Sequence, residues 1–189
     1  QHDTAAEKVE NAVHCKVLRS PMKIRQLSFI AAVALVMIAI GLWFSMPRHP
    51  AAPEVQFKTL TGEQIKTSTL RGKVVLVNFW ATSCVICMEE MPRMVETYNK
   101  FSSRGLEMIA VAMDYDPPNF VLTYAEQKKL PFKVALDIDS AAANGFGNVR
   151  LTPTTFVIDR QGRIVQQLLG EPDFAQLHAL LDAKLNEAG

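Results

Sequence analysis

At 189 residues the chain has room for one ordinary domain plus an anchoring segment. Its 20 Lys and Arg nearly balance 19 Asp and Glu, leaving a formal net charge of +1, and nothing in that balance favours a nucleic-acid partner. A hydrophobic content of 49% is ordinary for a globular protein that also carries one membrane segment.

Residues 1–26 read as a cytoplasmic N-terminal segment: polar, without periodicity, with Met22-Lys23-Ile24-Arg25 as a natural start and Cys15 as an unpaired thiol without a role. From Leu27 to Phe44 the residues are hydrophobic apart from Ser28 and Gly41, giving about 27 Å of helix against about 30 Å of hydrocarbon. No A-x-A cleavage site follows, so an uncleaved single-pass anchor is expected over residues 27–46, with Trp43 at the interface. Lys16, Arg19, Lys23 and Arg25 precede the run and only Arg48 lies close behind it. The positive-inside rule then keeps the N-terminus in the cytoplasm and puts the rest beyond the inner membrane, on the periplasmic side. Residues 47–53, with Pro47, Pro50 and Pro53, read as a stiff spacer, and 54–189 as the domain.

Within the domain, Phe57–Leu60 and Gln64–Thr67 flank Thr61-Gly62-Glu63 as a hairpin. Val74–Phe79 is a short apolar, β-branched run, the pattern of a strand buried on both faces. It leads into Cys84-Val85-Ile86-Cys87, after which Met88, Met91, Val95 and Tyr98 recur at helical spacing as an inward face. The cysteines therefore stand at the mouth of a helix. Unpaired backbone N–H groups and the positive end of the helix dipole favour a thiolate there, the form that attacks a disulfide. Cys84 is the expected nucleophile and Cys87, one turn on, the resolving thiol of a dithiol–disulfide exchange.

Zinc needs four ligands, and His2, His14, His49 and His178 do not pair at ligand spacing. Covalent haem attachment wants histidine after the second cysteine, where Met88 stands. No metal or cofactor is expected. Met88, Met91 and Met94 read as core, with a copper-binding assembly factor using Cys84, Cys87 and Met88 as the non-enzymatic alternative.

Pro92 is expected to kink the first domain helix. Met108–Met113 is a second buried strand, followed by a helix through Lys129 with Phe120, Val121, Tyr124 and Ala125 inward, and by a third strand at Lys133–Leu136. This unit fits a parallel crossover. Asp114 and Asp137, at strand ends, are the acids to consider near the thiols. Ser140–Gly147 is a short helix or turn, Thr155–Ile158 and Arg163–Leu169 form a second hairpin, and Asp173 caps a last helix with Phe174, Leu177, Leu181 and Leu185 inward.

Two stretches carry a family resemblance: Val77-Asn78-Phe79-Trp80-Ala81-Thr82 with Cys84, Cys87 and Glu90-Met91-Pro92, and Phe146-Gly147-Asn148-Val149 with Leu151-Thr152-Pro153-Thr154-Thr155-Phe156-Val157-Ile158-Asp159. Over roughly residues 52 to 187 the chain resembles the TlpA/ResA-type branch of the thioredoxins. The resemblance implies a thioredoxin fold, an α/β architecture with a central mixed sheet, helices on both faces and an N-terminal β-hairpin extension, preceded here by one transmembrane helix. It implies a reductant of disulfides in extracytoplasmic proteins, of the cytochrome c maturation or copper-site assembly type, recharged by a membrane thiol transporter. It also implies a cis Thr152–Pro153 bond and a substrate-binding set of Thr152, Pro153 and Trp80. The chain departs from the family at Ser83 and Ile86, where an aromatic residue and a proline are frequent, and at Val85, which leaves no charge between the thiols. A thiol oxidase or isomerase using the same residues is therefore the alternative direction of electron flow. Asn78 stands where cytoplasmic thioredoxins carry a buried aspartate, so any acid assisting proton transfer must come from elsewhere.

Overall fold

The computed structural model describes residues 24–45 and 49–187, with side chains over 28–41 and 49–187. The readings of Cys15, Lys16, Arg19 and Lys23, and of the side chains of Arg25, Trp43 and Arg48, lie outside the described residues. The chain divides into two compact units, residues 1–47 and 48–189.

In the first unit α1 runs over Ile24–Ser45. The expectation of a transmembrane anchor over 27–46 is corrected here: among the described residues no helix is long and apolar enough to cross a membrane.

The second unit is built on a seven-stranded mixed sheet in the order β2-β1-β5-β4-β3-β6-β7. Its strands are β1 Gln56–Thr59, β2 Gln64–Lys66, β3 Val74–Trp80, β4 Leu106–Ala112, β5 Lys133–Leu136, β6 Thr154–Ile158 and β7 Ile164–Leu169. Parallel pairing of β3 with β4 and of β4 with β5 makes the centre, while β1, β6 and β7 run antiparallel to their neighbours. The centre is where the unbroken apolar runs lie: every residue of β3 and β4 is buried. A strand covered on both faces leaves no position for alternating polar residues.

Successive residues point to opposite faces and feed two cores. On one face Val74, Leu76 and Trp80 pack with Met91, Met94 and Phe101 of α2 (Val85–Phe101), Val121 of α3 (Pro118–Lys128) and Leu177 and Leu181 of α5 (Phe174–Asn186). On the other face Val75, Val77 and Phe79 pack with Phe57 of β1, Phe146 and the alanines of α4 (Ala141–Gly145). Phe146 lies against Phe79 and Phe156, at ring centroid distances of 5.6 and 4.9 Å. Phe120, expected inward on α3, is 57% exposed. Pro118 sets the start of that helix so that only Val121 is fully turned to the sheet.

Part of the expected proline spacer is held against the domain: Ala51 bridges Arg163, and Ile164 N–H donates to the Pro50 carbonyl at 2.8 Å. Just past the end of β5, buried Asp137 accepts the Ala142 and Ala143 N–H groups, each at 2.8 Å. Asp137→Ala strands two buried donors and is expected to cost about 2–3 kcal/mol, read as a lowered urea midpoint of the full chain.

Candidate active site

The turn Ala81–Cys84 leaves the C-terminal end of β3 and delivers two cysteines to α2, where they are joined as a Cys84–Cys87 disulfide with Cα atoms 5.2 Å apart. Cys84 is the N-cap of α2, and its sulfur accepts the Cys87 backbone N–H at 3.2 Å. That N–H is one of the donors a helix cannot satisfy internally, so a sulfur takes the place usually filled by a Ser or Asp oxygen. The two residues differ in access: Cys84 is half-buried, whereas Cys87 is 0% exposed. An incoming disulfide therefore meets Cys84 first.

Sheet register brings two further loops to the same strand end. Phe79 pairs with Thr154, which puts the Thr152–Pro153 peptide beside the end of β3; that bond is cis. On the other side Trp80 pairs with Ala112, and Met113 N–H donates to the Trp80 carbonyl at 3.1 Å, so the loop Met113–Pro117 flanks the turn as well. Thr152 is half-buried and Pro153 buried. Trp80, grouped with the substrate-binding residues from the sequence, is instead 0% exposed and packs on the Tyr124 ring at 5.5 Å. It is a core residue, because β3 is covered on both faces along its full length. The surface around Cys84 is apolar and open: Val85 is 70%, Leu151 61%, Tyr115 54% and Ile86 46% exposed.

Beneath the cysteines lies a buried polar cluster. Asn78 of β3 donates from Nδ2 to Glu90 Oε1 at 3.0 Å and to Thr155 Oγ1 at 2.9 Å, tying α2 to β6 through the central strand. Asn78 Oδ1 and Glu90 Oε2 have no hydrogen-bond partner among the described residues. Burial pushes the Glu90 carboxyl up from 4.5 to about 7, the Asn78 hydrogen bond pulls partly against it, and the charge of Glu171 adds to the rise. Cys87 and Glu90 are three residues apart on α2 and both fully buried. Such pairs share a helix face with Cβ atoms about 5–6 Å apart.

Glu90 is the acid that sequence reasoning missed as a site residue. The buried stripe of α2 is Cys87, Glu90, Met91, Met94, Thr97 and Phe101, while Met88, Val95 and Tyr98 sit half-buried at its margin. Extending the helix from Cys87 at spacings of three and four would have put a carboxylate inside the apolar face. Asp114 and Asp137 are engaged elsewhere: Asp114 accepts the Ser140 hydroxyl at 2.7 Å and Asp137 holds the start of α4. Among the described residues no group of three or more His, Cys, Asp or Glu side chains is placed to hold a metal ion.

The AhpC/TSA family model matches residues 49–167. A thiol-disulfide oxidoreductase ResA from Bacillus thuringiensis is 38% identical over 130 residues, covering 69% of this chain and 74% of the relative. The solution structure of a proposed thioredoxin from Neisseria meningitidis superposes with a TM-score of 0.69 at 34% identity, covering 75% of this chain and 93% of that one. A thiol:disulfide interchange protein of the thioredoxin family from Chlorobium tepidum superposes with a TM-score of 0.67 at 27% identity, over 75% of this chain and 100% of that one.

Proposed function

The chain belongs to the AhpC/TSA family and is a thiol-disulfide oxidoreductase with a thioredoxin fold; from that premise we propose that it reduces disulfides of extracytoplasmic proteins, with Cys84 as nucleophile and Cys87 as resolving thiol. The reading is carried by one observation: a half-buried sulfur capping a helix, paired with a fully buried sulfur one turn from a carboxyl that burial raises to about 7.

In the reduced protein the Cys84 thiolate attacks one sulfur of the substrate disulfide. A mixed disulfide forms and the first substrate thiolate leaves, taking a proton from solvent. Cys87 then gives its proton to Glu90 and attacks the Cys84 sulfur, which forms the Cys84–Cys87 disulfide and expels the second substrate sulfur as a thiolate that takes a proton from solvent, while Glu90 later returns its proton to solvent. Two electrons pass to the substrate. A dithiol donor must return them, and a membrane thiol transporter is the donor class proposed. The substrates proposed are proteins of cytochrome c maturation or of copper-site assembly, and the place of action is the periplasmic side, where protein disulfides form and persist.

Substrate contact rests on the Thr152 backbone, which lies beside the cysteines and offers main-chain groups to an extended segment. Pairing of that kind gives affinity with little reading of sequence. The test is the reduction potential of the full chain, equilibrated in dithiothreitol or glutathione buffers and read by thiol alkylation. A value near −270 mV, about that of thioredoxin, is expected of a reductant; one near −120 mV, about that of a strong oxidant, overturns the proposed direction.

A further inference from the structure

The loop after β4 touches both other walls of the site. Asp116 is 3% exposed, and its carboxylate accepts the Thr82 backbone N–H at 2.6 Å and the Thr82 hydroxyl at 2.5 Å. Thr82 lies two residues before Cys84, in the turn whose Cys84 N–H closes back on the Ala81 carbonyl at 3.1 Å. The neighbouring Tyr115 turns the other way, and its hydroxyl is 3.2 Å from Thr152 Oγ1. Adjacent residues thus grip the cysteine turn with one side chain and the cis-proline loop with the next. The loop is itself anchored, by Asp116 N–H donating to the Met113 carbonyl at 3.0 Å and Met113 N–H to Trp80.

We propose that Tyr115 and Asp116 form a clasp that fixes the distance between Cys84 and the Thr152 backbone, making Tyr115 a positioning residue for extended peptide disulfides and not for small ones. The inference rests on the reading of Thr152 as the strand-pairing edge. A substrate chain that pairs with Thr152 must present its sulfur at Cys84 in the same pose, and the spacing between these points is then a determinant of reaction. A small disulfide touches only Cys84, so the spacing is irrelevant to it. Because Tyr115 is 54% exposed, removal of its hydroxyl leaves the core intact.

The experiment compares the reduced full chain with Tyr115→Phe on two substrates: bis(2-hydroxyethyl) disulfide, and a short extended peptide whose central cysteine carries thionitrobenzoate in disulfide linkage. A second peptide has N-methyl groups on the residues flanking that cysteine. For Tyr115→Phe, KM for the unmethylated peptide is expected to rise about three- to tenfold, the effect of one hydrogen bond. The kcat, the rate on the small disulfide and the Cys84–Cys87 potential are expected to stay as in wild type. Asp116→Asn, which keeps an acceptor for the Thr82 N–H, is expected to retain most of the peptide activity that Asp116→Ala loses. An equal loss on peptide and small disulfide, or no change on either, overturns the clasp. If wild type does not discriminate between methylated and unmethylated peptides, the strand-pairing reading fails and the clasp with it. Full discrimination by wild type that Tyr115→Phe also keeps, at unchanged KM, overturns the clasp alone.

Discussion

Cys87→Ser is expected to accumulate mixed disulfides through Cys84, while Cys84→Ser accumulates few or none and loses reductase activity. The asymmetry follows from the burial of the two sulfurs: Cys84 is the half-exposed cap of α2, and Cys87 is closed off from solvent. With Cys87 replaced, the first exchange still proceeds at Cys84, but no thiol stands one turn away to release the product. With Cys84 replaced, the remaining thiol cannot meet an incoming disulfide without opening the helix start. Non-reducing electrophoresis of each full-length variant after incubation with an oxidised protein substrate reads the difference directly. Equal trapping by both variants would falsify the assignment of roles.

Glu90→Gln is expected to slow the resolving step about 100-fold or more and to erase the inflection near pH 7 that wild type shows. A proton acceptor works best when its pKa lies near the working pH, and burial holds Glu90 at about 7. Glutamine keeps the shape and an oxygen for Asn78 but accepts no proton. The same group predicts a stability effect of definite sign. Below about pH 4.5 native and unfolded chains are both protonated at this position. Between 4.5 and about 7 the unfolded chain gives up its proton while the native one keeps it, so native protein binds more protons and stability falls as pH rises. The full penalty, about 3 kcal/mol, is present above pH 7. Denaturant midpoints of the oxidised full chain, followed from pH 4 to 8, should slope downward in wild type and lose that slope in Glu90→Gln. A retained slope assigns the pH dependence to another group.

The sheet was legible because its central strands advertise themselves. Val74–Trp80 and Leu106–Ala112 have no water-facing side, so their apolar runs carry no competing period. The hairpin of β1 and β2, the short β5 and the Asp173 cap of α5, which accepts the Ala175 and Gln176 N–H groups, were readable for similarly local reasons. The cysteine pair was legible from its strand-to-helix setting. What failed depended on tertiary placement. The buried stripe of α2 is turned about one residue from the one read off Met88, Met91, Val95 and Tyr98, because Cys87 and Glu90 face the sheet. Trp80 is grouped with the substrate-binding residues from the sequence, yet β3 is covered where it stands. Asp116, inconspicuous in a loop, becomes the partner of Thr82 only because β4 runs parallel to β3 and ends level with it. The membrane span is read from the length and hydropathy of Leu27–Phe44 and from the missing cleavage site, and among the described residues no helix is long and apolar enough to cross a membrane.

The link between Asn78 and Thr155 joins residues 77 apart in the chain. The cysteines are therefore made long before the strand that completes their surroundings, and they cannot acquire their working environment until β6 has docked on β3. Long-range pairings of this kind form late, after the cost of closing the intervening loop has been met. During synthesis the pair is an ordinary dithiol in an unfinished chain, open to promiscuous oxidation and to coupling with other nascent proteins. Specific exchange activity is consequently a property of the finished chain, and a product truncated before residue 154 carries both cysteines without the enzyme.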